Sequence, residues 1–274
     1  MYKILTKKQL NPDVYLYEIE AKAISKKVQP GQFIILRVDE FGERLPLTIA
    51  DYNADKGSVT IIVQAIGAST IKLSHLNEGD FIQDIVGPLG KATEFEDAKH
   101  VCVVGGGVGT AIAYPSAKFL SQNHVKVDMI AGFRNTDMII LENEMKVIAN
   151  HCMIMTDDGS NGNKGFVTDA LNKMMEENKY DLVIAIGPIP MMRAICECTR
   201  PKQIKTIVSL NPIMIDGTGM CGGCRVTVDG KTKFACVDGP DFDGHLVDFN
   251  NLVERNRMYK EEEGHQCRLS KEGK

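Results

Sequence analysis

The chain has 274 residues, of which 43% are hydrophobic and 25% charged, with 8 cysteines and a formal net charge of −4. These are the values of a soluble globular protein with room for two or three compact units. They exclude a basic surface built for nucleic acid and an apolar run of the roughly 18–20 residues that a membrane span needs.

The opening segment, MYKILTKKQLNPDVYLYEIEA, alternates like strand and lacks the apolar stretch and cleavage site of a signal peptide. No disulfide framework is implied, so cytoplasmic residence is the expectation. Up to about residue 97 the chain reads as short strands: YKILTKKQL, VYLYEIEA, GQFIILRVD, SVTIIVQAI and DFIQDIV. Pro30-Gly31, Asp55-Lys56-Gly57 and Glu78-Gly79-Asp80 punctuate them, and a compact antiparallel barrel follows. One helix is predicted inside it, Ser69 to Leu76.

Two spots there carry possible chemistry. Arg44-Leu45-Pro46-Leu47-Thr48 sets a planar cation four residues from a hydroxyl, suited to a pyrophosphate and a ring nitrogen. Gly67-Ala68-Ser69-Thr70 opens the helix, where free N–H groups attract an anion. A surface charge and a simple N-cap are the plainer alternatives.

From residue 98 to 210 strands alternate with helices, the pattern of a parallel sheet whose ligand sits at the strand C-terminal ends. HVCVVGGGVGTAIAYPSAKFL reads as strand, glycine-rich turn and helix; VKVDMIAGFR, CMIMTDDGS, DLVIAIGP and KTIVSL add four strands. DALNKMMEENK and MMRAICECT fill helical slots. The turn Gly105-Gly106-Gly107-Val108-Gly109 suits a nucleotide pyrophosphate, although Thr110 breaks the dinucleotide fingerprint. Asp157-Asp158 would repel a 2′-phosphate and favour NAD over NADP if that loop lies by the adenosine ribose; a solvated acidic turn is the alternative. At Gly187-Pro188 a bare backbone could approach a nicotinamide, or simply turn.

Residues 211–248 hold the densest signal: Asp216-x4-Cys221-x2-Cys224-x11-Cys236. Plant-type 2Fe-2S centres use C-x4-C-x2-C and one distant Cys, so the match is complete except for a carboxylate in the first position. An anionic oxygen can complete the tetrahedral site of one iron. Gly217, Gly219, Gly222 and Gly223 would let the backbone wrap the centre and aim N–H groups at sulfur. A structural zinc knuckle uses similar residues and stays open as the other reading. Cys102, Cys152, Cys196 and Cys198 read as small buried or half-buried hydrophobes. Residues 249–274 read as a polar tail or helix, with Cys267 a bystander.

Taken in order, Pro30-Gly31-Gln32-Phe33, Arg44-x-Pro46-Leu47-Thr48, Gly87-Pro88-Leu89-Gly90, the GGGVG turn, Gly187-Pro188 and the cysteine cluster resemble the ferredoxin-NADP reductase superfamily. The nearer resemblance is to its branch of iron–sulfur flavoprotein subunits. That branch includes the electron-transfer subunit of dihydroorotate dehydrogenase and the small subunit of NADH-dependent reduced ferredoxin:NADP oxidoreductase.

The resemblance covers residues 1 to about 248. It implies an antiparallel FAD-binding barrel (1–97), a parallel-sheet NAD(H)-binding domain (98–210) and a small 2Fe-2S domain (211–248). It assigns Arg44, Pro46, Leu47, Thr48, Gln64, Ala65, Ile66, Gly67, Ser69 and Thr70 to FAD. Gly106, Gly107, Gly109, Thr110, Asp157, Asp158, Gly187, Pro188 and Met191 would lie along NADH. Asp216, Cys221, Cys224 and Cys236 would hold the cluster, Asp216 setting the chain apart from the dihydroorotate branch, which has Cys there. Pro46 also departs from the usual aromatic third residue of the flavin motif.

The implied activity is electron transfer between NAD(H), FAD and the cluster, with no general acid or base. The implied partner is a larger flavoprotein with FAD and 4Fe-4S clusters, through which ferredoxin and NADP(H) are served and where electron bifurcation would be housed. A dihydroorotate dehydrogenase-type subunit and a zinc-stabilised nucleotide-binding module are the rival readings.

Overall fold

The structure, a computed structural model, describes residues 1–262 together with 264 and 265. Cys267 and the end of the predicted tail lie outside the described residues.

The first unit is built from β1 (Tyr2–Asn11), β2 (Val14–Glu20), the single turn α1 (Lys22–Ser25), β3 (Phe33–Arg37), β4 (Arg44–Asn53), β5 (Ser58–Gln64), α2 (Ala68–Ser74), β6 (Phe81–Ile82) and β7 (Asp84–Leu89). Its sheet runs β6-β1-β2-β5-β4-β3-β7, every pairing antiparallel. The two edge strands are separated in the chain by Gln83 alone, so the sheet curls until its edges nearly meet, which is how an all-β unit limits exposed edges. Asn11 sets the first hairpin: its Oδ1 accepts from the Asp13 and Val14 amides at 3.0 and 2.9 Å. Ile4, Tyr17, Ile19, Ile34, Leu36 and Ile61 fill the interior, and the Tyr17 hydroxyl donates to the Leu73 carbonyl at 3.0 Å, tying α2 to the barrel.

Two details differ from the sequence reading. Arg44–Thr48, given no strand of its own in the sequence reading, lies inside β4, and α1 is a second helical turn in this unit. Both escape a pattern reading, because Pro46 and Arg44 interrupt the apolar run and four residues are too few to show a helical period.

The second unit contains β8 (His100–Gly106), α3 (Gly109–Gln122), β9 (Lys126–Phe133), α4 (Glu142–Ile148), β10 (His151–Thr156), α5 (Val167–Glu177), β11 (Leu182–Ile186), α6 (Ile189–Thr199) and β12 (Lys205–Ser209). The strand order β10-β9-β8-β11-β12 is parallel throughout. The first strand is central and buried on both faces, which explains the unbroken run VCVV. The chain leaves β8 to one side, then returns to its other side as β11, so a topological switch point opens between these two strands. At the opposite end of the sheet the buried Asp128 accepts from His100 Nε2 and the Tyr180 hydroxyl, each at 2.8 Å, and from the His151 amide at 3.1 Å. Burial alone would raise its carboxyl; the bonds from Tyr180, His100 and His151 outweigh that and hold it below the usual value.

The last segment comprises β13 (Arg225–Val228), β14 (Lys231–Phe234), α7 (Ala235–Asp238), β15 (Asp241–Asp243) and α8 (Phe249–Arg255). Asp229 (φ 52) and Gly230 (φ 68) join β13 to β14 as a two-residue turn with both centres left-handed, which an Asp-Gly pair favours. β15 returns to the second unit and pairs antiparallel with β12. The barrel meets the second unit through Val14, Ala50 and Ile62, which share a core with Ala111, Ala113 and Ala117 of α3. Lys118 clamps this contact, its Nζ lying 2.8 and 2.6 Å from the Asp51 carboxylate. Among the described residues no helix is long and apolar enough to cross a membrane.

Candidate functional site

The glycine-rich turn sits at the mouth of the switch point, and each glycine there answers a different constraint. A Cβ on Gly109 would stand 2.5 Å from the Ile186 carbonyl oxygen and 2.7 Å from the Gly187 Cα, so α3 starts hard against the end of β11. A Cβ on Gly106 would stand 2.4 Å from the Met191 sulfur and 3.1 Å from Pro188. Gly107 is left-handed (φ 55), and a Cβ there would meet nothing within 4 Å. The turn is thus packed tightly beneath and open above, beside the first turn of a 14-residue helix. That is the shape of a backbone cradle for a pyrophosphate. Thr110 is fully buried and its Oγ1 has no hydrogen-bond partner.

Of the predicted nucleotide residues, the structure gathers Gly106, Gly107, Gly109, Thr110, Gly187, Pro188 and Met191 at this mouth. Asp157 and Asp158 lie two strands away, past the end of β10, exposed and folded onto β9: their amides donate to the Phe133 and Arg134 carbonyls at 3.0 and 3.3 Å. The Asp158 carboxylate accepts from the Ser160 amide at 2.9 Å, and that bond with the Ser160 hydroxyl holds it below the usual range. Sequence reasoning missed the neighbours at the end of β9. There Arg134 is exposed, the Asn135 Oδ1 is buried without a partner, and Thr136 bonds the Ser160 hydroxyl at 2.8 and 2.9 Å. The signal was available, since these residues follow the strand adjacent to β8 on the ligand-facing edge of the sheet.

On the barrel, Arg44, Pro46 and Thr48 alternate along β4 with Leu45 and Leu47, which pack toward the interior. Arg44 and Pro46 are exposed on the outer face. Gln64 ends β5, Ala65 and the exposed Ile66 follow, and Gly67 caps α2. The Thr70 hydroxyl is engaged locally, accepting from the Gly67 amide and donating to the Gly67 carbonyl, both at 3.0 Å. Ser69 does not cap the helix; its hydroxyl bonds the Glu43 carboxylate. Glu43 directly precedes Arg44 in the chain, and its carboxylate is turned to the start of α2.

The cluster loop lies against this same face of the barrel. Gly217, Gly219 and Gly222 are all left-handed, with φ of 76, 86 and 68, so the chain coils from Asp216 to Cys224 as only glycines allow without strain. A Cβ on Gly217 would come within 2.8 Å of Ile35 and 3.2 Å of Leu89, which seats the loop on β3 and β7. Cys224 and Cys236 are buried with Phe33, Ile35 and Ala235 in one apolar cluster, their sulfurs 3.2 Å apart. Burial, with help from the neighbouring Cys224 sulfur, pushes the Cys236 thiol up to about 12, so it becomes a ligand only by surrendering its proton to a metal.

Cys221 is exposed, and the Gly223 amide already points at its sulfur, 3.4 Å away. Asp216 is turned inward onto its own loop: Oδ1 accepts from the Thr218 amide at 2.6 Å and Oδ2 from the Cys221 amide at 2.8 Å. These bonds hold its carboxyl below the usual range. Of the four predicted ligands, Cys224 and Cys236 are thus side by side, while the Asp216 carboxylate is occupied by its own loop. Among the described residues no three His, Cys, Asp or Glu side chains converge on a single ion position. The donor chemistry, the left-handed glycines and the N–H···S contact fit an iron–sulfur cluster.

A nucleotide cradle at a sheet switch point, joined to an antiparallel barrel that carries a thiol-rich loop, defines an oxidoreductase of the ferredoxin reductase type. Residues 103–197 match the oxidoreductase NAD-binding domain, and residues 211–248 match the iron–sulfur cluster binding domain of dihydroorotate dehydrogenase B. A dihydroorotate dehydrogenase B (NAD(+)) electron transfer subunit homolog of Thermotoga maritima is 45% identical, the match covering 95% of this chain and 92% of that one. The chain belongs to the family of dihydroorotate dehydrogenase B electron-transfer subunits and their homologues.

A chain from the structure of NADH-dependent reduced ferredoxin-NADP oxidoreductase, described for flavin-based electron bifurcation, is 44% identical with a TM-score of 0.92 over 97% of this chain and 96% of that one. The ferredoxin-NADP+ reductase of Plasmodium falciparum shares the fold at 16% identity, with a TM-score of 0.59 over 77% of this chain and 94% of that one.

Proposed function

We propose that this chain is the electron-transfer subunit that passes electrons between NAD(H), FAD and a 2Fe-2S cluster, and on to a larger flavoprotein subunit of a ferredoxin:NADP+ oxidoreductase complex. The observation that carries the reading is the register of β3 with β4. Ile35, beneath the cluster loop, pairs with Pro46, and Phe33 pairs with Thr48. Adjacent strands lie about 4.8 Å apart, so the loop holding the thiols and the residues assigned to the flavin are neighbours on one outer face. Iron and flavin would sit side by side, with the NAD cradle at the far edge of β4, where Ala50 meets α3.

When bound, the flavin supplies the exchange between two-electron hydride chemistry and the one-electron chemistry of the cluster. The chain's own residues bind and orient. Arg44 neutralises the FAD diphosphate, and Pro46, Leu47 and Thr48 present backbone and hydroxyl to the ring. Gln64, Ala65, Ile66, Gly67, Ser69 and Thr70 line the other side. Gly106, Gly107, Gly109 and Thr110 cradle the NADH pyrophosphate, and Gly187, Pro188 and Met191 guide the nicotinamide toward the flavin. Asp157 and Asp158 disfavour a 2′-phosphate. Asp216, released from its loop, would hold the cluster together with Cys221, Cys224 and Cys236.

Residence is cytoplasmic, and the partner carries FAD and 4Fe-4S clusters and serves ferredoxin and NADP(H). The name of the Thermotoga relative supports a second reading, a dihydroorotate dehydrogenase-type subunit. Asp216 in the first ligand position favours the ferredoxin complex over it.

The test is anaerobic purification followed by iron, sulfide, zinc and flavin analysis, with paramagnetic resonance after NADH reduction. Equimolar flavin and two irons per chain with a cluster signal support the assignment. Zinc in a colourless protein would leave only a nucleotide-binding module. Co-purification with a barrel-fold dehydrogenase would favour the dihydroorotate reading.

A further inference from the structure

The segment matched to the iron–sulfur domain ends at residue 248, yet the cluster loop is completed from beyond it. Arg255, in the last turn of α8, sends Nε to the Arg225 carbonyl and Nη2 to the Gly223 carbonyl, both at 3.0 Å. These two acceptors flank Cys224, so a single planar guanidinium straddles the backbone of a buried cysteine. The same guanidinium, with Cys221 and Gly222, lines a cavity of about 180 Å³ beside the loop.

The helix carrying it is fastened on several sides. The Asp248 side chain caps it, accepting from the Asn251 amide at 3.0 Å; Arg193 donates to Asn250 at 3.0 Å; Asn256 donates to the Asn211 carbonyl at 3.1 Å. Leu252 is buried in the core of the second unit. Water would satisfy two loop carbonyls as well as a side chain does. A fixed cation brought to this point from another element adds two things that water lacks, a rigid two-point clamp and a positive charge.

We infer that Arg255 is a positioning residue of the iron–sulfur site. Its fork fixes the Gly223–Cys224 and Arg225–Val226 peptide planes, which steadies the turn whose Gly223 amide is directed at the Cys221 sulfur, and its charge favours the reduced, more negative state of the cluster. The inference rests on the iron–sulfur reading above.

The test uses the full-length chain, purified anaerobically as wild type, Arg255→Gln and Arg255→Lys. Iron and sulfide content, the rate of iron release to a chelator and the midpoint potential from a resonance-monitored titration are read for each. Arg255→Gln is expected to release iron about ten- to a hundredfold faster, the range for loss of a supporting contact around a metal, and to titrate at a more negative potential. Arg255→Lys is expected to restore most of the potential but not the retention, because an ammonium is a point charge without the two-carbonyl fork. A wild-type potential in Arg255→Gln, with fast or slow iron release, overturns the inference while the cofactor reading stands. A wild-type chain free of iron and sulfide overturns both.

Discussion

Two alanine substitutions two residues apart in the glycine-rich turn should separate packing from ligand binding. In Gly109→Ala the new methyl would meet the Ile186 oxygen at 2.5 Å, the Gly187 Cα at 2.7 Å and the Ile186 carbonyl carbon at 2.9 Å. All three are backbone atoms of the neighbouring strand end, so no side chain can swing away and α3 must part from β11. Overpacking of this kind costs about 1–3 kcal/mol, and a clash with backbone alone belongs at the upper end. At about 2–4 °C per kcal/mol for a chain of this size, the melting temperature should fall by about 6–12 °C.

Gly107→Ala has free space for its methyl but a φ of 55, which costs an alanine about 1–2 kcal/mol. Its larger effect should be on NADH, because the methyl points into the opening above the turn. A tenfold or greater loss of affinity, about 1.4 kcal/mol, is expected. Melting is measured with nicotinamide nucleotide absent and flavin content matched, and affinity by NADH titration of the oxidised protein. A Gly107→Ala variant that binds NADH as wild type does would refute the placement of the pyrophosphate, and an unchanged melting temperature in Gly109→Ala would refute the packing argument.

Asp216→Ala should lose iron while flavin stays at wild-type stoichiometry, whereas Asp216→Cys should keep a cluster at an altered potential; full iron in the alanine variant removes Asp216 from the ligand set. Arg44→Ala should weaken FAD retention about ten- to a hundredfold, the loss of one charge-assisted contact of about 1.5–3 kcal/mol, measured by flavin release on dilution. Asp157→Ser with Asp158→Ser should narrow the preference for NADH over NADPH by about tenfold or more, and an unchanged ratio of the two affinities would mean the loop does not face the ribose.

Asp241 offers a pH test. It accepts from the Thr93 hydroxyl at 2.5 Å, its other oxygen is buried without a partner, and burial pushes its carboxyl up. An acid raised in the folded state contributes stability that is full below its unfolded value of about 3.9 and is lost as pH rises through the folded value. Asp241→Asn, which does not ionise, should therefore gain on the wild type in melting temperature as pH rises above the unfolded value; parallel profiles would count against a buried neutral carboxyl.

The sequence by itself determined the class of each unit and most of the chemistry. Period-two strands with turn signals build an antiparallel all-β unit, and the apolar run VCVV ending in GGGVG reads as a buried central strand feeding a helix. The spacing of Cys221, Cys224 and Cys236 named a metal because thiolates at those intervals have little other use. What only the tertiary structure decided is which of these pieces touch. That Ile35 lies beneath Gly217 and opposite Pro46, that Glu43 holds Ser69, and that Arg255 reaches back to the carbonyls around Cys224 depend on contacts between residues from 11 to 182 positions apart. Hydrophobic periodicity reports which face of an element is buried but not against what. Pairing register and the docking of one unit on another are fixed by side-chain volumes and backbone hydrogen bonds that exist only once the chain has folded.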